Sequence, residues 1–498
     1  MTEKLHKKLN DSAAMRWGAL FVVAFTMMAA YFVNDVMAPL KSMFESNLGW
    51  SSSEYGFFTG AYSFLNVFLL MLIWGGFILD KFGIRFTGIL STVLMVAGTA
   101  IEYLGITVLA SAEGVFLDYQ TSVWVASAGY AIFGVGAEVA GITVTKVIAK
   151  WFKGKEMATA MGVQVALARI GSQAAYALAL PLAGGSAEAE GGCPCLTTEG
   201  VVAAGSTDLS FPLMIGLSLL VLGMIAFLVF AVFDKRLDKQ NEGVAEESGD
   251  EEKFSFKDVA SILGNKGFWL IALLCVLFYS CVFPFQKFAT EFFTLKYNMD
   301  ASLAGTIAGL PALGALVLTP LFGGVVDKRG KAASIMMLGS AMLIFVHMVY
   351  AIPTISATWV AVALMLVLGV AFSLVPSAMW PSVAKIFPAH QLGTAYALIF
   401  FIQNIGLWGI PVLIGKVLDS FCKVEITDPE QLRALNGCVC PSECADCADK
   451  CLVAVSSYDY TLPMMIFTGL AVLALVIAFI LKRVDKSKGY GLELPNIK

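Results

Sequence analysis

Eight ionisable side chains stand inside long apolar runs of this sequence: Asp35, Glu102, Glu138, Lys146, Arg169, Lys287, Glu291 and His347. On insertion scales a charge at the centre of a bilayer costs about 2.5–3.5 kcal/mol, so a charge kept there usually has a function or a partner. Lys146, Glu102 and Glu291 lie near the ends of their runs, where snorkelling to the interface would explain them, and a hydrogen-bonded structural role is expected for His347. Four candidates for chemistry then remain: Asp35, Glu138, Arg169 and Lys287.

Glu138 and Arg169 flank a predicted helical hairpin whose turn centres near Gly154, sixteen residues after the first and fifteen before the second. At ~1.5 Å per residue both side chains lie about 23 Å from the turn, and therefore level with each other. Opposite charges at one depth suit a zwitterion: an amine would meet Glu138, and a carboxylate would form two parallel hydrogen bonds with the Arg169 fork. A static salt bridge between the two helices and a role confined to gating remain the alternatives.

Polar residues recur at helical spacing on several of these runs, a pattern typical of surfaces that face a bundle interior or water. With the charged pair they predict a polar cavity with aromatic walls, and the further candidate binding residues are Asp35, Tyr31, Tyr62, Asn66, Gln173, Tyr279, Gln286, Lys287, Trp380, Gln403 and Asn404. Any one of them could instead form an interhelical hydrogen bond, worth about 0.6 kcal/mol on average. Lys287 could be a second carboxylate ligand. Asp35 is also a candidate for proton binding, because a low dielectric favours the neutral carboxyl group.

The chain as a whole is too poor in charge to cover a water-facing surface. Its 498 residues are 58% hydrophobic and 14% charged, whereas soluble domains carry about 25% charged residues. The bilayer is the solvent that fits this composition. No basic face favours nucleic acid. The apolar core holds no nucleophile–base or metal-ligand set, so we expect neither an enzyme nor a cofactor.

The apolar runs have the length that a membrane helix needs, about 20 residues for ~30 Å of hydrocarbon. They predict an all-α membrane protein of twelve spans near residues 16–40, 53–79, 86–109, 122–150, 156–182, 211–233, 267–293, 300–325, 332–352, 356–386, 391–420 and 461–483. Lys and Arg collect in the loops on one side of these spans and are few on the other. The positive-inside rule therefore places both termini in the cytoplasm.

The chain divides near its middle. Residues 234–266 are polar and acidic and include the run NEGVAEESGDEEK, which cannot bury enough apolar surface to order itself. We expect a six-helix N-terminal half at 1–233, a cytoplasmic linker at 234–266, and a six-helix C-terminal half at 267–498 that carries a Cys-rich extracytoplasmic loop at 422–460.

One motif occurs in each predicted half, after its second helix: GGFILDKFGIR at 75–85 and FGGVVDKRGK at 322–331. It resembles the signature loop of the major facilitator superfamily, and the resemblance implies a transporter of two pseudo-symmetric six-helix halves with alternating access to a central site. Each Asp could accept hydrogen bonds from a neighbouring helix N-terminus. The residues with an implied gating role are Asp80, Lys81, Arg85, Asp327 and Lys328. A positive-inside loop without any gating role is the alternative.

Three further segments resemble a branch of this superfamily that carries dipeptides and has lysosomal and bacterial members. They are KWFKGKEMATAMGVQVALARIGS at 150–172, FWLIALLCVLFYSCVFPF at 268–285 and MWPSVAKIFPAHQLGTAYALIFFIQNIG at 379–406. The resemblance implies movement of dipeptides down their gradient without an obligatory coupled ion. It also points to Glu138 and Arg169 as the charges that hold the peptide termini.

Eight of the ten cysteines lie on the predicted extracytoplasmic side: Cys193, Cys195, Cys422, Cys438, Cys440, Cys444, Cys447 and Cys451. An even set in an oxidising compartment predicts disulfides, mostly within each loop, because a bridge between the halves would restrain their movement. Metal binding is the alternative, since CVCPSECADCADKC has ligand-like spacing. The other two, Cys275 and Cys281, are expected to be core residues.

The only glycosylation sequon, Asn10-Asp11-Ser12, falls on the predicted cytoplasmic side, and the N-terminal segment has no acidic dileucine signal. Both absences suit a bacterial inner membrane. The expected partners are a small peptide and the lipid bilayer, and we expect a monomer. Two other functions stay open: a proton-coupled organic anion carrier that uses Arg169 and Lys287 with Glu138 as the proton site, and a membrane receptor whose Cys-rich loops bind a partner or metal.

Overall fold

The computed structural model describes residues 9–112, 114–152, 155–184, 208–241, 256–425 and 456–495. Its helices are α1 (Ala13–Val36), α2 (Lys41–Leu48), α3 (Ser52–Phe68), α4 (Met71–Ile106), α5 (Thr121–Trp151), α6 (Met157–Leu182), α7 (Ser210–Asn241), α8 (Phe256–Leu263), α9 (Lys266–Tyr297), α10 (Ala301–Ala308), α11 (Leu310–Arg329), α12 (Ala332–Ala351), α13 (Thr358–Ile386), α14 (Ala389–Phe421) and α15 (Thr461–Lys488). Two short antiparallel pairs join β1 (Val115–Phe116) to β2 (Tyr119–Gln120) and β3 (Lys423–Glu425) to β4 (Ser456–Tyr458).

The helices form twelve membrane spans in two halves of six. Eleven helical stretches of the described chain are long and apolar enough to cross a bilayer. One of them, α4, contributes to two spans: its first part continues α3, and its second part is a separate span beyond a break at Gly83. Each predicted apolar run thus corresponds to one span, some of them divided between consecutive helices, and the predicted fold is confirmed.

Glycine permits the sharp break between the second and third spans. Gly83 has a φ of 77°, in the left-handed region where a side chain is disfavoured, so the chain changes direction without a longer loop. Gly330 has a φ of 68° in the repeat of the same motif, and a Cβ there would come within 2.4 Å of the Leu494 backbone. These two glycines, one in each copy of the motif, are thus required by backbone geometry.

Small residues bring helices of the two halves into contact. A Cβ on Gly56 of α3 would lie 2.4 Å from the Pro411 carbonyl oxygen of α14, and one on Gly60 would lie 2.6 Å from that of Trp408. α6 approaches α10 in the same way at Gly305. Such close backbone approach is how helices associate in a membrane, where the lipid supplies no hydrophobic driving force between them.

The predicted linker is partly helical. α7 continues to Asn241, beyond the predicted end at Phe233, and α8 forms within the predicted linker. Asp234 is fully buried and accepts hydrogen bonds from Arg85 at 3.3 Å and from Lys150 at 3.0 Å. Asp234 and Asp238, at the start of the predicted linker, thus stabilise the end of α7, because cations of the same half pair with them. The acidic run after Asn241 lies outside the described residues.

Cys422 lies at the end of α14 as a buried free thiol, and burial raises its pKa to about 11. Its predicted disulfide is therefore not supported. Cys275 and Cys281 are buried free thiols in α9, as expected for core residues. The other seven loop cysteines, and with them the predicted metal alternative, lie outside the described residues.

Candidate functional site

A cavity of about 280 Å³ lies between the two halves. α1, α3, α5 and α6 line it from the N-terminal half, and α9, α13 and α14 from the C-terminal half. Eight of the predicted binding residues line it: Tyr31, Tyr62, Glu138, Arg169, Tyr279, Lys287, Trp380 and Gln403. Four of these eight are aromatic, so the cavity combines aromatic walls with a few charges.

The other five predicted binding residues lie outside the cavity lining: Asp35, Asn66, Gln173, Gln286 and Asn404. Gln173 and Gln286 donate to backbone carbonyls of α10 at 3.3 and 3.1 Å, and Asn404 donates to the preceding turn of α14 at 2.9 Å. Asn66 is fully buried between helices. Sequence spacing could not distinguish these positions from cavity-lining ones, because an amide on an apolar helix can form its hydrogen bonds equally well with the backbone of a neighbouring helix or turn.

Glu138 is half-buried in the middle of α5, and the Tyr62 hydroxyl donates a hydrogen bond to its Oε1 at 3.0 Å. The carboxylate thus has one fixed donor and keeps acceptor capacity toward the cavity. Within the described ranges it forms no ion pair with Arg169. The two charges face one cavity and do not neutralise each other by direct contact.

Arg169 of α6 is held by aromatic rings. Its Cζ lies 5.5 Å from the ring centroid of Tyr31 and 5.2 Å from that of Phe372, within the range of cation–π attraction. Tyr31 belongs to α1, whereas Phe372 reaches the cation from α13 of the other half. Sequence reasoning missed Phe372, because an aromatic residue within an apolar run gives no signal of a specific contact.

Asp35 is ion-paired across the two halves. Lys287 Nζ lies 3.1 Å from its Oδ1, and the Ser172 hydroxyl donates to its Oδ2 at 2.6 Å. Lys287 also donates to the Asn34 carbonyl at 2.6 Å. A substrate carboxylate would therefore have to compete with Asp35 for Lys287.

A second ion network between the halves is more deeply buried. Lys41, only 1% exposed, lies 2.6 Å from Glu45 of α2 and 2.7 Å from Glu291 of α9. The Tyr460 hydroxyl donates to the same Glu291 carboxylate. The expected snorkelling of Glu291 is therefore wrong, since its partner is a buried cation. Lys41 was missed because it directly follows an apolar run, where Lys is usually interfacial.

The contacts that join the halves gather at one end of the bundle. This end, called here the opposite end, lies away from both motif loops and from both ends of the described chain. It holds the Asp35 and Lys41 networks. There the Ser53 backbone also donates to Asp419 at 2.6 Å. At the other end, called here the terminal end, strong ion pairs such as Arg85–Asp238 at 2.6 Å lie within one half. The arrangement is that of a bundle closed at the opposite end.

The first motif loop, residues 75–85, is fixed by ion pairs. Asp80 accepts a hydrogen bond from the Lys146 ammonium of α5 at 2.9 Å. Its described partner is thus a side-chain cation and not the helix N-terminus that was expected. Arg85 pairs with both acidic residues near the end of α7. The Lys81 ammonium lies 5.7 Å from the Phe77 ring centroid.

The second motif loop, residues 322–331, is covered by residues 489–495. Glu493 accepts from the Ser334 backbone and hydroxyl at 2.9 and 2.8 Å, near the start of α12. Asp327 interacts electrostatically with Lys385 of α13, and Lys328 is exposed. In each half, the segment of the motif thus lies against acidic residues at the end of that half's last helix or just after it.

Comparison with known proteins agrees with this architecture. A family model described as the Major Facilitator Superfamily matches residues 20–409. The human lysosomal dipeptide transporter MFSD1 is 32% identical over 410 residues, covering 82% of this chain and 81% of that protein. The mouse protein of the same name is 32% identical over 408 residues, with the same two coverages.

Solved structures support the fold alone, because their identity is low. A bacterial homolog of the human lysosomal transporter Spinster, inward-facing and unoccupied, has a TM-score of 0.64 at 15% identity and covers 95% of this chain and 98% of its own. The nucleoside transporter NupG has a TM-score of 0.63 at 13% identity, covering 93% and 99%. The curated relatives are lysosomal, so a bacterial inner membrane and cytoplasmic termini stay predictions. The chain belongs to the major facilitator superfamily and is a multi-pass membrane transporter rather than an enzyme.

Proposed function

We propose that this transporter carries dipeptides and other small peptides as a uniporter, by alternating access. The observation that supports it most is the placement of Glu138 and Arg169, opposite charges that face one cavity without pairing with each other. Glu138 would accept the substrate amine beside the Tyr62 hydroxyl. The Arg169 fork would hold the carboxylate through two hydrogen bonds. The curated dipeptide-transporting relatives support the same substrate class.

The size of the cavity favours a short peptide. At about 280 Å³ it lies near the lower limit of small-molecule sites, which span roughly 300–1,000 Å³. Aromatic walls can contact varied side chains through area rather than through specific hydrogen bonds. Two fixed opposite charges for the peptide termini, together with aromatic walls that accept varied side chains, suit a carrier of many peptides.

Alternating access requires the opposite end to open. In this proposal the Asp35–Lys287 and Lys41–Glu291 pairs separate when the halves rock apart. The residues that would control the terminal end are Asp80, Lys81, Arg85, Asp327 and Lys328. If the terminal end is cytoplasmic, as its Lys and Arg content favours, the present state faces inward.

A second function, proton-coupled transport of organic anions, is favoured by one observation. Glu102 is fully buried and neither carboxylate oxygen has a hydrogen-bond partner in the described chain. Such a group is suited to carry a proton. The cavity also presents two cations, Arg169 and Lys287. This alternative predicts that anions without an amine compete with substrate.

A thermal-shift screen of the purified protein separates these functions. Dipeptides should raise its melting temperature, because ligand binds the folded state only, whereas free amino acids, tripeptides and dicarboxylates should do so less. Arg169→Lys keeps the charge but not the fork and should lose the shift. Arg236→Lys, at an exposed arginine near the end of α7, is the matched control. Equal stabilisation by N-acetylated dipeptides would remove the role proposed for Glu138.

Uniport is tested separately in proteoliposomes. Dipeptide flux should follow the peptide gradient and stay unchanged when a proton gradient is imposed across the bilayer. Uphill dipeptide accumulation driven by protons would replace uniport with the coupled alternative and would direct attention to Glu102.

A further inference from the structure

We infer that Phe372 is a positioning residue that orients the Arg169 guanidinium from the other half of the protein. The inference rests on the proposed function, because it concerns the side chain assigned to the peptide carboxylate. Phe372 does not line the cavity, so it would act through Arg169 and not by touching the peptide.

The contacts of Arg169 support this role. Its Cζ lies 5.2 Å from the Phe372 ring centroid and 5.5 Å from that of Tyr31. No hydrogen bond or ion pair holds the guanidinium among the residues that the structure describes. The rings therefore orient the cation while its N–H groups stay available to a carboxylate. A guanidinium can stack on aromatic faces and still present its donors in a rigid fork.

Phe372 is itself held rigidly. It is 3% exposed, and its ring packs edge-to-face with Tyr279 at 6.2 Å and with Phe283 at 5.4 Å. Both of those rings project from α9, in the same half as α13. Edge-to-face geometry is favourable between aromatic rings, so the position of Phe372 is set by its own half and not by Arg169.

The two rings that contact Arg169 belong to different halves. Tyr31 lies on α1, beside the α6 helix that carries Arg169, whereas Phe372 lies on α13. When the halves change their relative position, Tyr31 moves with Arg169 and Phe372 moves away. The carboxylate site is thus fully oriented only in the arrangement seen here, which couples its affinity to the conformational state.

The test compares a dipeptide with its C-terminal amide, which lacks the carboxylate, by thermal shift and by competition in proteoliposomes. Phe372→Leu should lower affinity for the dipeptide by about three- to thirtyfold, the range that a desolvated cation–π contact supports, and should leave the amide nearly unchanged. Phe372→Tyr keeps the ring and should retain the preference. Phe372→Met provides a second ring-free variant if the leucine variant is unstable.

Phe285→Leu is the matched control. Phe285 is an equally buried ring of α9 that packs on His347 and Tyr350 and does not line the cavity. The Phe285→Leu variant should have a lower melting temperature and an unchanged ratio of dipeptide to amide affinity. An unchanged ratio in both ring-free Phe372 variants would overturn the inference. A wild-type protein that does not distinguish dipeptide from amide would instead overturn the proposed function, and the inference with it.

Discussion

Glu138 and Arg169 are each held by partners that leave the charge available. A tyrosine hydroxyl fixes Glu138 at 3.0 Å, and aromatic rings fix Arg169. Neither has to break an ion pair before it meets a ligand. Preorganisation of this kind lowers the cost of binding, because little of the contact energy goes into rearranging the site.

Glu138→Gln is expected to abolish selection for a free amine. The substitution keeps the shape and the contact with Tyr62 but removes the charge. A hydrogen bond to a charged group contributes about 1.5–3 kcal/mol, so affinity for unmodified dipeptides should fall roughly 10- to 100-fold toward that of N-acetylated ones. Competition in proteoliposomes measures the ratio. Glu54→Gln, at a carboxylate that caps α3 outside the cavity, should leave the ratio at the wild-type value.

Lys287→Met is expected to destabilise the fold, because it leaves the Asp35 carboxylate buried without its cation. Breaking a buried pair from one side costs about 3–5 kcal/mol. The double variant Asp35→Asn/Lys287→Met removes both charges and should recover most of the loss in a thermal unfolding assay. If the single and the double variant were equally stable, the interaction between Asp35 and Lys287 would not contribute to the stability of this state.

At this scale the sequence predicted the charged pair together with Tyr62 and Tyr31, which contact it, and missed the third supporting residue, Phe372. The equal spacing of Glu138 and Arg169 from the hairpin turn predicted that both lie at one depth, and both line the cavity in the structure. Phe372 and Lys41 had no such signal, because their roles come from contacts with the other half of the chain. The amides of Gln173 and Gln286 show the opposite error: a polar stripe identifies an interior face but not which interior contact it makes.

Among the elements, the end of α7 shows how helix termini organise the terminal end of the bundle. Its two acidic residues meet Arg85 of the first motif loop and Lys150 of α5, so one short segment ties three spans together. The helix continues through 234–241, where the polar composition had indicated an unordered segment, because composition alone does not include these partners. The role of 234–266 as a linker stays a prediction. The twelve spans were predictable, since their apolar length alone decides that they cross the bilayer.

Asp234→Asn is expected to weaken this junction far more than Asp238→Asn. Asp234 is fully buried and also accepts from the Trp151 indole at 2.9 Å, whereas the side chain of Asp238 is 40% exposed. Loss of a buried charged acceptor costs about 1.5–3 kcal/mol, and an exposed pair about 0–1 kcal/mol. Thermal unfolding of the two variants in one detergent gives the comparison. Similar melting temperatures would mean that burial does not strengthen the inner pair.

For the whole molecule, the decisive feature is that both halves meet at one end. At that end the backbones of α3 and α14 come close together at glycines of α3. Ion networks of α1, α2 and α9 join the two halves at the same end. The sequence predicted two halves from its repeated motif. It could not predict which end is closed, because the same chain must be able to close either end in turn.

A disulfide across the closed end is expected to stop transport. The Ser53 backbone nitrogen lies 2.6 Å from the Asp419 carboxylate, so the start of α3 and the end of α14 lie side by side, and Ser53→Cys with Asp419→Cys is the pair of variants to oxidise. Oxidation should trap the present state and abolish flux in proteoliposomes, and a reductant should restore it. The two single-cysteine variants report any effect of the native cysteines. Full flux in the oxidised double variant would show that this end need not open.

The depth of Lys41 gives the two ends different responses to ionic strength. Dissolved ions screen charges that water reaches, over about 8 Å at physiological salt, and scarcely reach a buried pair. Lys41 is 1% exposed, whereas Arg85 and Asp238 at the terminal end are 38% and 40% exposed. Added salt should therefore weaken the Arg85–Asp238 pair and leave the Lys41–Glu291 pair intact, so ionic strength can perturb the terminal end without breaking the buried link between the halves at the closed end.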